Sequence, residues 1–213
     1  MTSRLAISRQ GAVIGRGGTA LGLGALASSA VRAQQKTPRI VSVGSALTEI
    51  FYALGAENML VGVDTTSLYP PQAKSLPQVG YMRALSAEGV LSLKPTLIMA
   101  TTGAGPASTL DQLKATGIDV VILPDRYDYD SVAKKIEAVG KATGKVAGAD
   151  ALAARGRADM KALSDRLATT PNKPRVLFLM SMSGGAPQAA GRDTAADGII
   201  RLAGGVNAIV GYA

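Results

Sequence analysis

The 213-residue chain contains no histidine, no cysteine and no tryptophan. Without histidine there is no Ser-His-Asp triad, no Cys-His nucleophile and no HExxH zinc site. Without cysteine there is neither an iron–sulfur cluster nor a disulfide, so cysteine usage leaves the compartment open. Any metal must be held by oxygen donors, methionine sulfur or lysine. Two Phe and six Tyr are too few for a platform that stacks single-stranded nucleic acid. What is present is the composition of a globular protein, 47% hydrophobic and 18% charged, long enough for one or two domains.

The formal net charge is +8, and much of it sits at one end. Residues 1–33 carry Arg4, Arg9, Arg16 and Arg32 and no acid. Gly17 to Val31 is uncharged and rich in Ala, Leu and Gly, too short to cross a bilayer comfortably. Val31-Arg32-Ala33 offers small residues at the −3 and −1 positions of a signal peptidase site. We therefore read 1–33 as a signal peptide and the mature chain as periplasmic. Ser8-Arg9 lacks the second arginine of a twin-arginine signal, which favours the general secretory route. A basic leader or a retained membrane anchor are the alternatives. Without those four arginines the balance is mild, and no basic run long enough to bind nucleic acid remains.

From Pro38 to about residue 125, short apolar runs alternate with helical patterns. Strands are expected at Ile40–Val43, Leu60–Val63, Thr96–Ala100 and Val120–Leu123. Helices are expected from Ala46 to Leu54, Ser86 to Leu93, and after Pro106 up to Gly117. This is the pattern of a parallel sheet covered on both faces. Residues 126–170 carry helical spacing, with Val132, Ile136 and Val139, then Met160, Leu163 and Leu167, and a break near Lys145. They read as a helical connector. A strand is expected again at Val176–Met180, then a Gly/Ser/Pro loop, then a helix from Thr194 to Leu202 within a further α/β segment, 174–213.

Leu54–Gly62 aligns without gaps on Ala203–Gly211, with Gly55, Asn58, Val61 and Gly62 recurring. Pro38-Arg39-Ile40 is likewise matched by Pro174-Arg175-Val176. Two similar α/β lobes joined by helix would produce both echoes. By that symmetry roughly sixty residues of the second lobe are absent, so we expect a truncated second lobe.

Ligands of open α/β sheets bind beyond the carboxyl ends of the strands. The loops after Val43, Val63, Ala100, Leu123 and Met180 would line such a cleft. One of these segments, Val79-Gly80-Tyr81-Met82-Arg83, sets a tyrosine two residues from an arginine. In an extended segment their side chains point the same way. A phenol with a pKa of about 10 is a poor ligand at neutral pH, but a nearby guanidinium and a ferric ion both favour the phenolate. Tyrosinate is a hard donor suited to Fe(III) and an established haem ligand type. On its own the spacing leaves open a rim tyrosine beside an unrelated surface arginine.

The stretches Arg39–Ile50, Leu60–Ser67 and Leu76–Gly89, with Ser181–Pro187 and Ala190–Asp197, resemble the periplasmic haemin-binding proteins of bacterial haem ABC transporters. The resemblance covers 38–213. It implies two Rossmann-like lobes bridged by a long helix, with little hinge closure, and haem as the transported ligand. It implies Tyr81 as the axial iron ligand, with Arg83 as its hydrogen-bond partner. It also implies an inner-membrane permease with its ATPase as partner, and a monomer. In related binding proteins an acidic residue of each lobe docks on permease arginines. Glu88 matches the first, although a glutamate in a helix's first turn is equally favoured by the dipole. Glu49 reads as local helix chemistry.

The chain departs from the resemblance in having no second-lobe histidine. Met180, Met182 and Tyr212 could face the ligand from that side, but Met180 reads as core strand and Tyr212 lies at the chain end. Cobalamin or a ferric siderophore is the rival ligand, and a truncated product without function is a further alternative. A nucleotide-dependent enzyme is disfavoured. Gly103-Ala-Gly-Pro-Ala-Ser lacks the third glycine of a phosphate-binding turn, and no carboxylate pair or nucleophile–base couple stands out.

Overall fold

The computed structural model describes residues 37–182 and 186–212. The expected signal peptide lies outside the described residues, as do 183–185 of the loop that follows Met182.

Four parallel strands form the first sheet: β1 (Ile40–Val43), β2 (Leu60–Val63), β5 (Leu97–Thr101) and β6 (Asp119–Leu123), in the order β2-β1-β5-β6. Between β2 and β5 lie a small hairpin, β3 (Gly80–Tyr81) and β4 (Ala84–Leu85), and α2 (Ala87–Ser92). The crossovers α1 (Ser45–Ala53) and α3 (Ala107–Ala115) complete the lobe. Successive strand residues point to opposite faces, so β1 and β5 feed two cores. Ile40 and Met99 join Leu47 and Phe51 of α1 on one face, while Val41, Val43, Ile98 and Ala100 join Val90, Leu110 and Leu113 on the other. The strands expected from the apolar runs are present within a residue or so of their expected ends.

The helical stretch 126–170 is two helices, α4 (Tyr129–Thr143) and α5 (Val146–Ala168), separated at Gly144-Lys145. Ala133, Ile136 and Val139 of α4 are buried in the same core as Phe51 and Met99. The first half of α5 reaches that core too, through Ala149 and Ala153. The 23 residues of α5 span about 34 Å at the usual helical rise. Its far end meets the second α/β segment, where Leu167 lies against Gly204.

That segment holds β7 (Arg175–Val176), β8 (Leu179–Ser181), β9 (Gln188–Ala189), α6 (Ala195–Leu202) and β10 (Val206–Asn207). β7 pairs with β10 in parallel, and β8 with β9 antiparallel. The single strand expected at Val176–Met180 is therefore two, because Leu177 and Phe178 leave the β7 line. The Thr194 hydroxyl accepts the Asp197 N–H (3.2 Å) and caps α6 where the sequence places its start.

The internal echo has a structural basis. Gly55 (φ 61°) follows α1 and Gly204 (φ 80°) follows α6, each left-handed, where glycine alone bears no steric cost. Each then leads toward a strand that pairs in parallel with the opening strand of its lobe, β2 with β1 and β10 with β7. The echo breaks at the asparagines. Asn58 lies exposed in a 3₁₀ turn, while Asn207 is buried and bonds Asp197, Ala190 and Gly191.

The two lobes differ in how far their strands are covered. Every residue of β1 is buried, whereas Val176, Leu177, Phe178, Leu179 and Met180 are all exposed. Met180, expected in the core, is 63% exposed, because no element among the described residues closes over β8. Amide exchange tracks such local opening. Amides of β1, β2 and β5 should exchange at least about tenfold more slowly than those of β7 and β8, an opening difference of about 1.4 kcal/mol or more. Hydrogen exchange read by mass spectrometry or NMR checks this; equal protection in both lobes would show that the short strands are as secure as the long ones.

Candidate functional site

The hairpin β3–β4 carries Tyr81 at the carboxyl end of β2. The Val79 N–H donates to the Val63 carbonyl (3.0 Å), and the Gly80 carbonyl accepts from the Thr65 N–H (2.9 Å). On the other side the Gly105 N–H donates to the Met82 carbonyl (2.9 Å) and the Gly105 carbonyl accepts from Leu85 (2.8 Å). Val79 and Leu85 are buried in the core that Met82 also packs against. Gly80 (φ 99°) makes the turn into the hairpin, and a β-carbon there would stand 3.2 Å from the Ala84 carbonyl oxygen. The result is a phenol that is 47% exposed on a backbone held from both sides.

Arg83 is also exposed, but not as an extended neighbour of Tyr81. Tyr81 pairs with Ala84, so Met82 and Arg83 form the turn between the two strands. Tyr81 and Arg83 therefore do not share a strand face, because side-chain alternation needs a strand and position 83 lies in a turn. No hydrogen bond joins Tyr81 to Arg83 here. Glu88 lies exposed in the first turn of α2, which the Ser86 hydroxyl caps by accepting the Gly89 N–H (3.1 Å). Glu49 lies exposed on α1, in the wall of a cavity of about 560 Å³ shared with Tyr52, Tyr69 and Lys135.

The sequence reading missed one residue beneath this surface. Asp64, just past β2, is fully buried. Its Oδ1 accepts the Gly44 N–H (2.8 Å) and the Ser67 hydroxyl (3.0 Å); its Oδ2 accepts the Thr66 N–H (2.9 Å) and the Thr66 hydroxyl (2.6 Å). Thr48 extends the network, bonding both Ser67 (2.8 Å) and Ser42 (2.9 Å). One carboxylate thus ties the loop after β1 to the loop after β2, and Thr65 of that second loop holds Gly80. The signal in the sequence was an aspartate closing an apolar strand with Thr-Thr-Ser behind it, a pattern suited to side chain–backbone bonding.

Of the second-lobe candidates, Met182 is exposed beside the undescribed 183–185, and the Tyr212 carbonyl accepts the Arg192 N–H (2.8 Å). Met180 lines an apolar cavity of about 640 Å³ with Phe178, Ile199 and Ile200. Elsewhere, burial and then the Glu57 carboxylate push the Tyr52 phenol above its ordinary range, which keeps it neutral and a poor metal donor. No cluster of acids able to hold a bare metal ion occurs among the described residues, and no helix among them is long and apolar enough to cross a membrane.

Comparison with known proteins places the chain among solute-binding relatives. Residues 40–213 match the family described as periplasmic binding protein. A solved structure of the periplasmic haem-binding protein BhuT in complex with two haems is similar to the chain, with 42% identity and a TM-score of 0.77, over 82% of this chain and 68% of that one. So is the periplasmic haem-binding protein RhuT from Roseiflexus in its apo form, at 43% identity and a TM-score of 0.74, over 80% of this chain and 65% of that one. The vitamin B12-binding protein of Yersinia pestis is 33% identical over 68% of this chain and 51% of its own length. The chain spans about half the length of the curated relatives it matches.

Proposed function

The chain belongs to the periplasmic binding protein family, whose members carry solutes rather than transform them, and on that premise we propose that it captures haem outside the cytoplasm for delivery to an inner-membrane ABC permease. The observation that carries this reading is Tyr81, an exposed phenol on a hairpin fixed at the carboxyl end of the sheet. Tyr81 is the iron ligand. Arg83, two residues on in the turn, supplies positive charge that stabilises the bound phenolate. The 1–33 segment directs export by the general secretory route, and Glu88 is the first-lobe contact for permease arginines. The haem-binding proteins among the similar structures support the ligand assignment.

The relatives that bind vitamin B12 favour a second reading, cobalamin in the same cleft. Titration of the chain with haemin and separately with cyanocobalamin decides between them. Haemin should shift the Soret band and give a high-spin ferric, tyrosinate-type spectrum, while cyanocobalamin binds at least about 100-fold more weakly, some 2.7 kcal/mol. Tighter binding of cyanocobalamin would replace haem with the corrinoid.

The Arg83 role carries its own expectation. Arg83→Ala should weaken haemin binding by about three- to tenfold, or about 0.7 to 1.4 kcal/mol, less than loss of Tyr81 does. Absorbance titration of Arg83→Ala with haemin checks this; an affinity equal to the parent's would mean that Arg83 gives the bound phenolate no support.

A further inference from the structure

On the proposed haem-binding reading the two lobes flank one slot, and the structure holds a contact able to set their spacing. The segment Arg126–Asp128 leaves β6 at its carboxyl end, on the side of the sheet where Tyr81 stands. It meets α6 of the second lobe directly. Gly198, buried in the first half of α6, faces the main chain of Tyr127. A β-carbon at position 198 would stand 2.5 Å from the Tyr127 Cβ and 2.7 Å from the Tyr127 carbonyl oxygen. The second distance involves backbone, which no rotamer change relieves. Any side chain at 198 must move one lobe from the other, or distort the segment.

Tyr127 is in turn poorly placed to yield. Its neighbours on both sides are tied to the first lobe. The Arg126 N–H donates to the Ser131 hydroxyl (3.1 Å), and that hydroxyl donates to the Pro124 carbonyl (2.9 Å). The Asp128 carboxylate accepts the Ser131 N–H (2.8 Å) and caps α4. The Tyr129 hydroxyl donates to the Ala153 carbonyl of α5 (3.2 Å). Lys135 donates to the Asp125 carboxylate and to the Ser131 hydroxyl (3.4 Å). On the far side, α6 is fixed within its own lobe, where Asn207 holds Asp197, one residue before the contact, at 3.2 Å.

We propose that Gly198 seated on Tyr127 is a specificity-determining stop that sets the distance between the lobes, and with it the width of the slot facing Tyr81. Glycine is required there because the stop is a main-chain contact. A slot of preset width favours a flat macrocycle that fits between its walls without closure of the lobes. The inference about ligand fit rests on the proposed haem function; the inference about lobe spacing does not.

The chain has no cysteine, so a pair of introduced cysteines gives a unique spin-labelled distance. Asp111→Cys on α3 and Gln188→Cys on β9 are exposed and lie one in each lobe. In this labelled background, Gly198→Val should lengthen the mean interlobe distance by a few ångströms relative to Gly198, and Gly198→Ala by less. Haemin should then dissociate about tenfold faster from the valine variant while its tyrosinate-type spectrum is unchanged, because Tyr81 and its hairpin are not touched. Should Gly198→Val fail to fold by circular dichroism, Gly198→Ala carries the same comparison. An unchanged distance distribution in a folded variant overturns the stop. A lengthened distance with unchanged haemin dissociation overturns its role in ligand fit and leaves the spacing role standing. Failure of the haem reading itself shows separately, as absence of haemin binding by the chain with Gly198 intact.

Discussion

Tyr81→Ala is expected to lower haemin affinity at least about 100-fold, equivalent to some 2.7 kcal/mol, and to abolish the tyrosinate-type spectrum. The size follows from the donor inventory. The chain has no histidine and no cysteine, so the ordinary substitutes for a lost haem ligand are missing. Methionine sulfur suits ferric iron poorly, because a hard cation prefers an anionic oxygen. Tyr52 does not replace Tyr81, since burial and then the Glu57 carboxylate raise its phenol above the ordinary range, and it stands on α1 rather than on the hairpin. The fold should be indifferent to the change. Tyr81 is about half exposed, and the hairpin is held by backbone bonds of Val79, Gly80, Met82 and Leu85 that do not involve the phenol. Tyr81→Phe separates ring from oxygen: it should lose the spectrum as fully as alanine while keeping more of the residual apolar binding. Absorbance titration and a thermal melt of each variant provide the check. If Tyr81→Ala binds haemin as tightly as the parent, with the same spectrum, another group is the ligand.

Asp64→Ala should destabilise the first lobe by about 3–5 kcal/mol, the largest effect on folding expected of any single change to a polar residue there. The carboxylate is fully buried and takes four hydrogen bonds. Its removal leaves the Gly44 and Thr66 N–H groups without acceptors, and each such orphan costs roughly 1–3 kcal/mol. The Thr66 and Ser67 hydroxyls lose their partner as well, but can rotate toward others. Asp64→Asn should cost less, about 1–3 kcal/mol, because one oxygen is kept while an NH₂ group is turned toward donors. Urea unfolding of both variants measures the difference. A loss under about 1 kcal/mol for the alanine variant would mean that water replaces the carboxylate. Haemin binding by a folded Asp64→Asn variant should also weaken, since Thr65 supports Gly80 from the loop that Asp64 organises.

Much of the fold was legible because its signals are local. β1, β2 and β5 are short apolar runs whose burial follows from the absence of polar alternation, as at Ile40–Val43, whereas β6 at the sheet edge leaves Val121 and Ile122 exposed. The caps at Ser86, Asp128 and Thr194 stand where small polar side chains precede helical spacing. The glycines at 55, 144 and 204 mark helix ends that take a left-handed residue. Two features departed from their sequence signals because side-chain identity does not show which backbone pairs with which. Met180 looks like core because a run of apolar residues normally has neighbours on both sides; here the neighbours among the described residues do not cover it. Arg83 looked like a strand neighbour of Tyr81 because spacing alone does not reveal that Tyr81 pairs with Ala84.

The sequence by itself determined the chemistry open to this protein. The absence of histidine and cysteine removed most metal and nucleophile chemistry, and the words around Tyr81 narrowed what remained to an oxygen ligand in a solute-binding family. Only the tertiary structure decided what holds that tyrosine and what spaces the lobes. Asp64 lies seventeen residues from Tyr81 in the chain and reaches it through Thr65 and Gly80. Gly198 is remote from Tyr127 in sequence yet closer to it than any side chain would permit. Side-chain identity is written residue by residue, whereas such contacts depend on distances between segments that chain spacing does not encode.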